Sequence, residues 1–174
     1  MTSHDLTGTV QIGPVDVVAA VIRSGARVLL CQRPAHKRHG GLYEFPGGKC
    51  NDGETKDQAI ARELLEELGV TVTYVGSVLH SIHDPGSLFV IHFTDVRIDG
   101  TPLTIEHSDL QWVTFNEALY LDLAPSDRRF IEDFLDRAGE ADCPPDAGHG
   151  SRSRQNRHHG PDRTSTVGCI RIGT

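Results

Sequence analysis

Residues 16–22 and 27–32 are short apolar runs on either side of Arg23-Ser24-Gly25-Ala26, a pattern that predicts a β-hairpin. Gly40-Gly41 and Pro46-Gly47-Gly48 bracket a shorter apolar piece at 42–45. From Thr55 to Leu68 the spacing becomes helical. Ala61, Leu64, Leu65 and Leu68 recur at intervals of three and four, Asp52 or Thr55 can cap the start, and Gly69 stops the run. Strand-like segments follow at 70–81, 87–98 and 110–114. Helices are expected at 116–120 and 126–138, the second capped by Ser126 ahead of Phe130, Phe134 and Leu135. Strands with helices between and after them predict an α/β fold with a mixed sheet covered by helices on its faces.

The pattern changes near Gly139. Beyond it large apolar side chains are almost absent, so the segment cannot offset the entropy of ordering itself, and 139–174 is expected to be a disordered tail. Its cluster of Arg152, Arg154, Arg157, His158 and His159 reads as solvated. Residues 1–14 read as an N-terminal extension, leaving 15–138 as the folded domain. A length of 174 residues fits one domain, and 37% hydrophobic with 24% charged residues excludes collagen-like and coiled-coil chains. No apolar run reaches the roughly 18 residues of a membrane span, and Met1–Asp5 lacks a secretory pattern, so a soluble cytoplasmic protein is expected. Cys31, Cys50, Cys143 and Cys169 form no C-x-x-C pair and read as reduced thiols. A net charge of −7 argues against direct binding of duplex nucleic acid. An acidic chain can still hold a polyanion when divalent cations lie between them.

The acidic residues of the expected helix point that way. At 100° per residue, Glu63, Glu66 and Glu67 fall within about a 100° arc, opposite the expected apolar stripe. Like charges at these spacings cost a few tenths of a kcal/mol each. They also lie toward the helix C-terminus, where negative charge is disfavoured. A solvated face with Arg62 paired to Glu66 is one reading, and a set of oxygen ligands for a hard cation such as Mg²⁺ is the other. The preceding loop favours the second, since Gly47 and Gly48 let backbone approach a ligand and Gly53 permits a tight turn.

Gly48, Glu54, Arg62, Glu63, Leu64, Glu66, Glu67, Gly69 and Val70 occupy every fixed position of a 23-residue signature, and in this the chain resembles the Nudix hydrolases. Segments 17–22, 28–34, 44–49 and 123–127, and Glu106 followed by Trp112, are similar to the MutT-type branch of that family. The resemblance implies a Nudix α/β/α sandwich. It implies that Glu63, Glu66 and Glu67 ligate Mg²⁺ (Mn²⁺ being the alternative) together with the Gly47 carbonyl. Glu106 would be a further ligand or the base that activates water. Arg62 would orient a glutamate, Glu54 would brace the loop against the helix, and Arg33 and Lys49 would face substrate phosphates.

The implied reaction is hydrolysis of a nucleoside triphosphate to monophosphate and pyrophosphate, which needs positioning and charge neutralisation more than a covalent nucleophile. In 8-oxo-dGTP diphosphatases an asparagine reads the base where this chain has Asp127. An ionised Asp offers only acceptors, which can take the N7–H of 8-oxoguanine or the cytosine amino group, so 8-oxo-dGTP or a related damaged nucleotide is the expected substrate and CTP, dCTP or a modified pyrimidine nucleotide the alternative. A nucleotide sensor without turnover is a reading of another class, against which the full set of carboxylates argues. His80 and His83 read as surface or pocket-lining residues rather than a metal pair, and Trp112 as core. The basic run His36-Lys37-Arg38-His39 either attracts phosphate or is an exposed loop.

Overall fold

The computed structural model describes residues 13–83 and 86–141. The N-terminal segment to residue 12, the chain from residue 142 onward, Cys143 and Cys169 lie outside the described residues. Strand β1 (Val15–Ser24) is the centre of the molecule. Its alternating side chains supply both cores: Ala19 and Val21 face one layer, and Val18, Ala20 and Ile22 the other. Strand β2 (Arg27–Gln32) does the same with Val28 and Leu30 against Leu29 and Cys31. A sheet buried on both faces requires a helix layer on each.

The remaining elements are β3 (Tyr43–Glu44), β4 (Gly47–Lys49), α1 (Lys56–Leu68), β5 (Thr71–His83), β6 (Phe89–Asp99), β7 (Asp109–Val113), α2 (Phe115–Ala118) and α3 (Pro125–Ala141). Helix α1 covers one face through Ala59, Ile60, Leu64 and Leu68, while α2 and α3 cover the other through Ala118, Phe130 and Ile131. The result is an α/β/α sandwich around a mixed seven-stranded sheet.

The expected hairpin forms, but β1 and β2 pair only beside the turn, at Arg23↔Val28 and Ser24↔Arg27. Further along the same edge, β4 pairs antiparallel with β1 from Val17↔Lys49 to Ala19↔Gly47. On its other edge β1 runs parallel to β6 from Val15↔Phe89 to Ile22↔Val96. The Gly-Gly segment is thus inserted into the sheet as a short strand.

Two helix expectations are corrected. Thr55 caps α1, accepting from the Gln58 amide at 3.2 Å while the Gln58 side chain accepts from Thr55, and Gly69 at φ 68° ends it. Its buried stripe, however, is Ala59, Ile60, Leu64, Glu67 and Leu68; Ala61 and Leu65 are exposed, Leu65 by 59%. The apolar face is therefore turned so that Glu67 lies within it. Helix α3 begins at Pro125, whose missing N–H and fixed φ suit a first helical position, so Ser126 lies inside the first turn rather than capping it. The helix also continues to Ala141, past the expected tail boundary at 139.

His80 and His83 bond apart, one to Asp133 at 3.3 Å and the other to the Ser87 carbonyl at 2.9 Å. Trp112 packs against the core beneath α1. Among the described residues, no helix is long and apolar enough to cross a membrane.

Phe93 and Phe130 stack at 4.2 Å between centroids, and Phe45 sits edge-on to both at 5.8 and 5.4 Å. Phe130→Ala is expected to cost about 3–5 kcal/mol, the usual range for a buried phenylalanine. Urea unfolding of the two proteins measures it, and a loss under 1 kcal/mol would show that this cluster does not hold α3 to the sheet.

Candidate active site

The loop ahead of α1 is fastened by one guanidinium. Arg62 bonds Glu54 through Nε at 2.8 Å and Nη2 at 2.9 Å, and it also donates to the Lys49 carbonyl at 3.1 Å. Its Nη1 lies 2.9 Å from Glu63 and 3.3 Å from Glu66. The second Glu54 oxygen takes the Asn51 amide at 2.9 Å. This fork of donors holds the Glu54 carboxyl well below its ordinary value, at about 2.

Two glycines make a close approach possible. Gly47 adopts φ 146°, and a Cβ there would collide with the Val18 carbonyl. At Gly48 a Cβ would collide with the Glu63 carboxylate. The Gly47 amide donates to Glu67 Oε2 at 2.9 Å, tying β4 to α1. Glu67 is 9% exposed, and burial pushes its carboxyl up to about 7.

These groups edge a cavity of about 590 Å³ whose lining includes Gly47, Glu63, Glu67, Arg33, Lys49, Glu106 and Asp127. Glu66 is exposed and outside that lining, held at the margin by Arg62, and neither Arg62 nor Glu54 reaches the wall. Arg33 lines the cavity with Nη1 at 2.6 and 2.8 Å from the Glu44 oxygens and Nε on the Arg38 carbonyl. Lys49 Nζ lies 4.6 Å above the centre of the Phe89 ring. Glu106 pairs with Lys37 at 2.9 Å, which lowers its pKa. Cys50, beside the loop, carries a thiol raised mainly by burial, the reverse of an activated nucleophile.

Asp127, also on the cavity lining, sits in the first turn of α3, 7% exposed, with Oδ1 accepting the Phe45 amide at 2.8 Å. Burial, with Glu44 nearby, pushes its carboxyl up to about 8. Burial thus favours its protonated form. It offers an O–H donor as well as an acceptor, where an ionised aspartate was expected to offer acceptors only.

Two residues with no expected role complete the site. His107 is buried, with Nε2 3.6 Å from Glu44 and 3.9 Å from Glu67, and its Nδ1 has no partner among the described residues. Glu44 joins Arg33 to His107. Only proximity to Glu106 and to the Pro-Gly-Gly turn marked these positions in the sequence. No three His, Cys, Asp or Glu side chains converge as a metal cage among the described residues. The donors present are nonetheless all oxygen, from Glu63, Glu67 and the Gly47 backbone, and the buried Glu67 carboxylate lacks a full countercharge. That chemistry fits a hard divalent cation.

The NUDIX domain matches residues 13–134. The CTP pyrophosphohydrolase of Escherichia coli K12 is 41% identical over 125 residues, covering 70% of this chain and 91% of that protein. A Mycobacterium tuberculosis H37Rv protein provisionally named 8-oxo-dGTP diphosphatase 2 is 39% identical over 120 residues, covering 67% and 85%. The crystal structure of a MutT NUDIX hydrolase from Burkholderia pseudomallei superposes with a TM-score of 0.60 at 26% identity, covering 68% of this chain and 96% of that one.

Glu67 has a measurable signature in stability. Its raised pKa means the folded state holds a proton that the unfolded chain releases, so stability falls as pH rises from about 4.5 to about 7. In metal-free buffer, Glu67→Gln is expected to exceed wild type by on the order of 2 kcal/mol at pH 8 and to match it near pH 4.5. Adding Mg²⁺ at pH 8 should raise the melting temperature of wild type and not of the variant. Equal melting temperatures at pH 8 without metal would contradict the burial argument.

Proposed function

The chain belongs to the NUDIX domain family, hydrolases that act on nucleotides and generally use divalent metal ions, and on that premise we propose that it is an Mg²⁺-dependent diphosphatase of oxidised nucleoside triphosphates such as 8-oxo-dGTP. The products are the nucleoside monophosphate and pyrophosphate, and the role is sanitation of the cytoplasmic nucleotide pool, which protects DNA from mutation. The observation that carries the choice of base is Asp127 itself, a buried carboxyl on the cavity lining that burial pushes up to about 8.

Glu63, Glu67 and the Gly47 carbonyl would hold the cation, with Glu66 and Glu106 as further ligands. When bound, it would offset phosphate charge and acidify a water for in-line attack. Arg62 aligns Glu63 and Glu66, and Glu54 locks that guanidinium to the loop. Lys49 is within reach of the cavity and supplies a positive charge to the phosphates. Arg33, anchored by Glu44, shapes the same wall.

A neutral carboxylic acid complements a base edge that has a donor beside an acceptor. The 8-oxoguanine edge has this pattern in N7–H and O6, whereas guanine presents two acceptors at N7 and O6. Cytosine also presents it, in its amino group and N3. The similarity to a CTP pyrophosphohydrolase therefore supports a second reading, hydrolysis of CTP, dCTP or a modified pyrimidine nucleotide, that uses the same side chain.

A panel of 8-oxo-dGTP, dGTP, dATP, CTP, dCTP and 5-methyl-dCTP compared by kcat/KM, with pyrophosphate and orthophosphate measured separately, tests the proposal. The expected result is preference for 8-oxo-dGTP with pyrophosphate released; a preference for cytosine nucleotides would transfer the assignment to the second reading. The ratio of 8-oxo-dGTP to dGTP is expected to rise as pH rises through about 8, because ionised Asp127 still accepts from the 8-oxoguanine N7–H but has lost the O–H that guanine N7 or O6 could take. Asp127→Asn should flatten that part of the profile. A profile identical in both proteins would show that Asp127 does not read the base.

A further inference from the structure

The loop between β2 and β3 carries Lys37, Arg38 and His39, all on the cavity wall, and it is built rather than slack. Its backbone closes on itself through Lys37 N–H to Pro34 O at 3.0 Å, Gly40 N–H to Lys37 O at 2.9 Å and Gly41 N–H to Arg33 O at 2.9 Å. His39 is held at φ 59°, and Arg33 Nε fastens the loop from inside by bonding the Arg38 carbonyl at 2.8 Å. From this frame Lys37 reaches a residue 69 positions away, placing Nζ 2.9 Å from Glu106 Oε2.

Glu106 is itself on an anchored segment. The Ile105 amide donates to the carbonyl of Glu67 at 3.3 Å, and the Ser108 amide to that of Gln32 at 2.9 Å. Each loop is held by its own backbone bonds, and the ion pair joins their side chains on the cavity wall. Both side chains are close to half exposed, 41% for Lys37 and 47% for Glu106. A pair so exposed is weak, and a polyphosphate with several charges is a stronger partner for an ammonium than one carboxylate.

We propose that Lys37 serves two anions in turn, the Glu106 carboxylate before nucleotide binds and the substrate polyphosphate afterwards, so that the arriving nucleotide releases Glu106 to the cation. Lys37 is then a substrate-binding residue that also positions Glu106. The inference rests on the reading of Glu106 as a metal-facing carboxylate. It has a consequence that an ordinary phosphate-binding lysine lacks, because in nucleotide-free protein Lys37 competes with the cation for Glu106.

Mn²⁺ binding to nucleotide-free protein at 0.15 M salt, followed by the electron paramagnetic resonance of free Mn²⁺, tests this in a double-mutant cycle. Lys37→Met is expected to tighten Mn²⁺ binding roughly two- to fivefold in the wild-type background and to leave it unchanged in a Glu106→Gln background. Lys37→Arg should behave as wild type. In turnover, Lys37→Met should raise the KM for nucleotide roughly tenfold, the loss of one charge-assisted bond. Equal tightening in both backgrounds would reduce Lys37 to a distant repulsive charge and overturn the exchange, as would no tightening in either. If Glu106→Gln alone leaves Mn²⁺ affinity untouched, the metal-facing reading of Glu106 fails and the exchange fails with it.

Discussion

The bond from the Gly47 amide to the buried Glu67 carboxylate is the contact on which the site depends. It joins a strand that exists only because two glycines can lie against β1 and α1 to a helix whose apolar stripe includes a glutamate. Replacing Glu67 by an apolar residue would improve the packing of α1 and remove the anchor of β4. A carboxylate in that environment resists ionisation, which is costly in an empty fold and favourable once a cation faces it.

A second buried carboxyl lines the same cavity. Asp127 is buried beneath Phe45, whose ring is wedged against Phe93 and Phe130 and whose amide holds the carboxyl in place. Desolvation raises both carboxyls, yet with different results. The Glu67 carboxyl is pushed up to about 7 and that of Asp127 to about 8, so the protonated form, with a donor beside an acceptor, is favoured more strongly at Asp127. Arg33, Glu44 and His107 form a chain of charged and polar groups, His107 and Glu44 acting on Glu67 and Glu44 and Arg33 on Asp127.

Periodicity revealed the hairpin, the length of α1 and its stop at Gly69, because these are local preferences with strong residue signals. The Nudix signature marked Glu54, Arg62, Glu63 and Gly48, and these residues do meet around one guanidinium and one glycine cradle. The orientation of α1 was misread because Leu65 and Ala61 fit a helical stripe as well as Ile60 and Ala59 do; which stripe is buried is decided by β1 and β2, distant in sequence. The burial of Asp127 was equally illegible, since it depends on Phe45, 82 positions earlier. His107 gave no signal of its own and Lys37 only as one member of the basic run 36–39, for their partners Glu44, Glu67 and Glu106 come from a strand, a helix and a loop distant in sequence.

The central claim is that the oxygens of Glu67, Glu63 and Gly47 form the seat of a divalent cation. An anomalous difference map from crystals grown with Mn²⁺ and a non-hydrolysable nucleoside triphosphate tests it most directly. The account predicts a Mn²⁺ peak within about 2.0–2.4 Å of a Glu67 oxygen and of the Gly47 carbonyl, a distance set by oxygen ligation of hard cations. Manganese bound only through nucleotide phosphates, with Glu67 still buried and unligated, would contradict it.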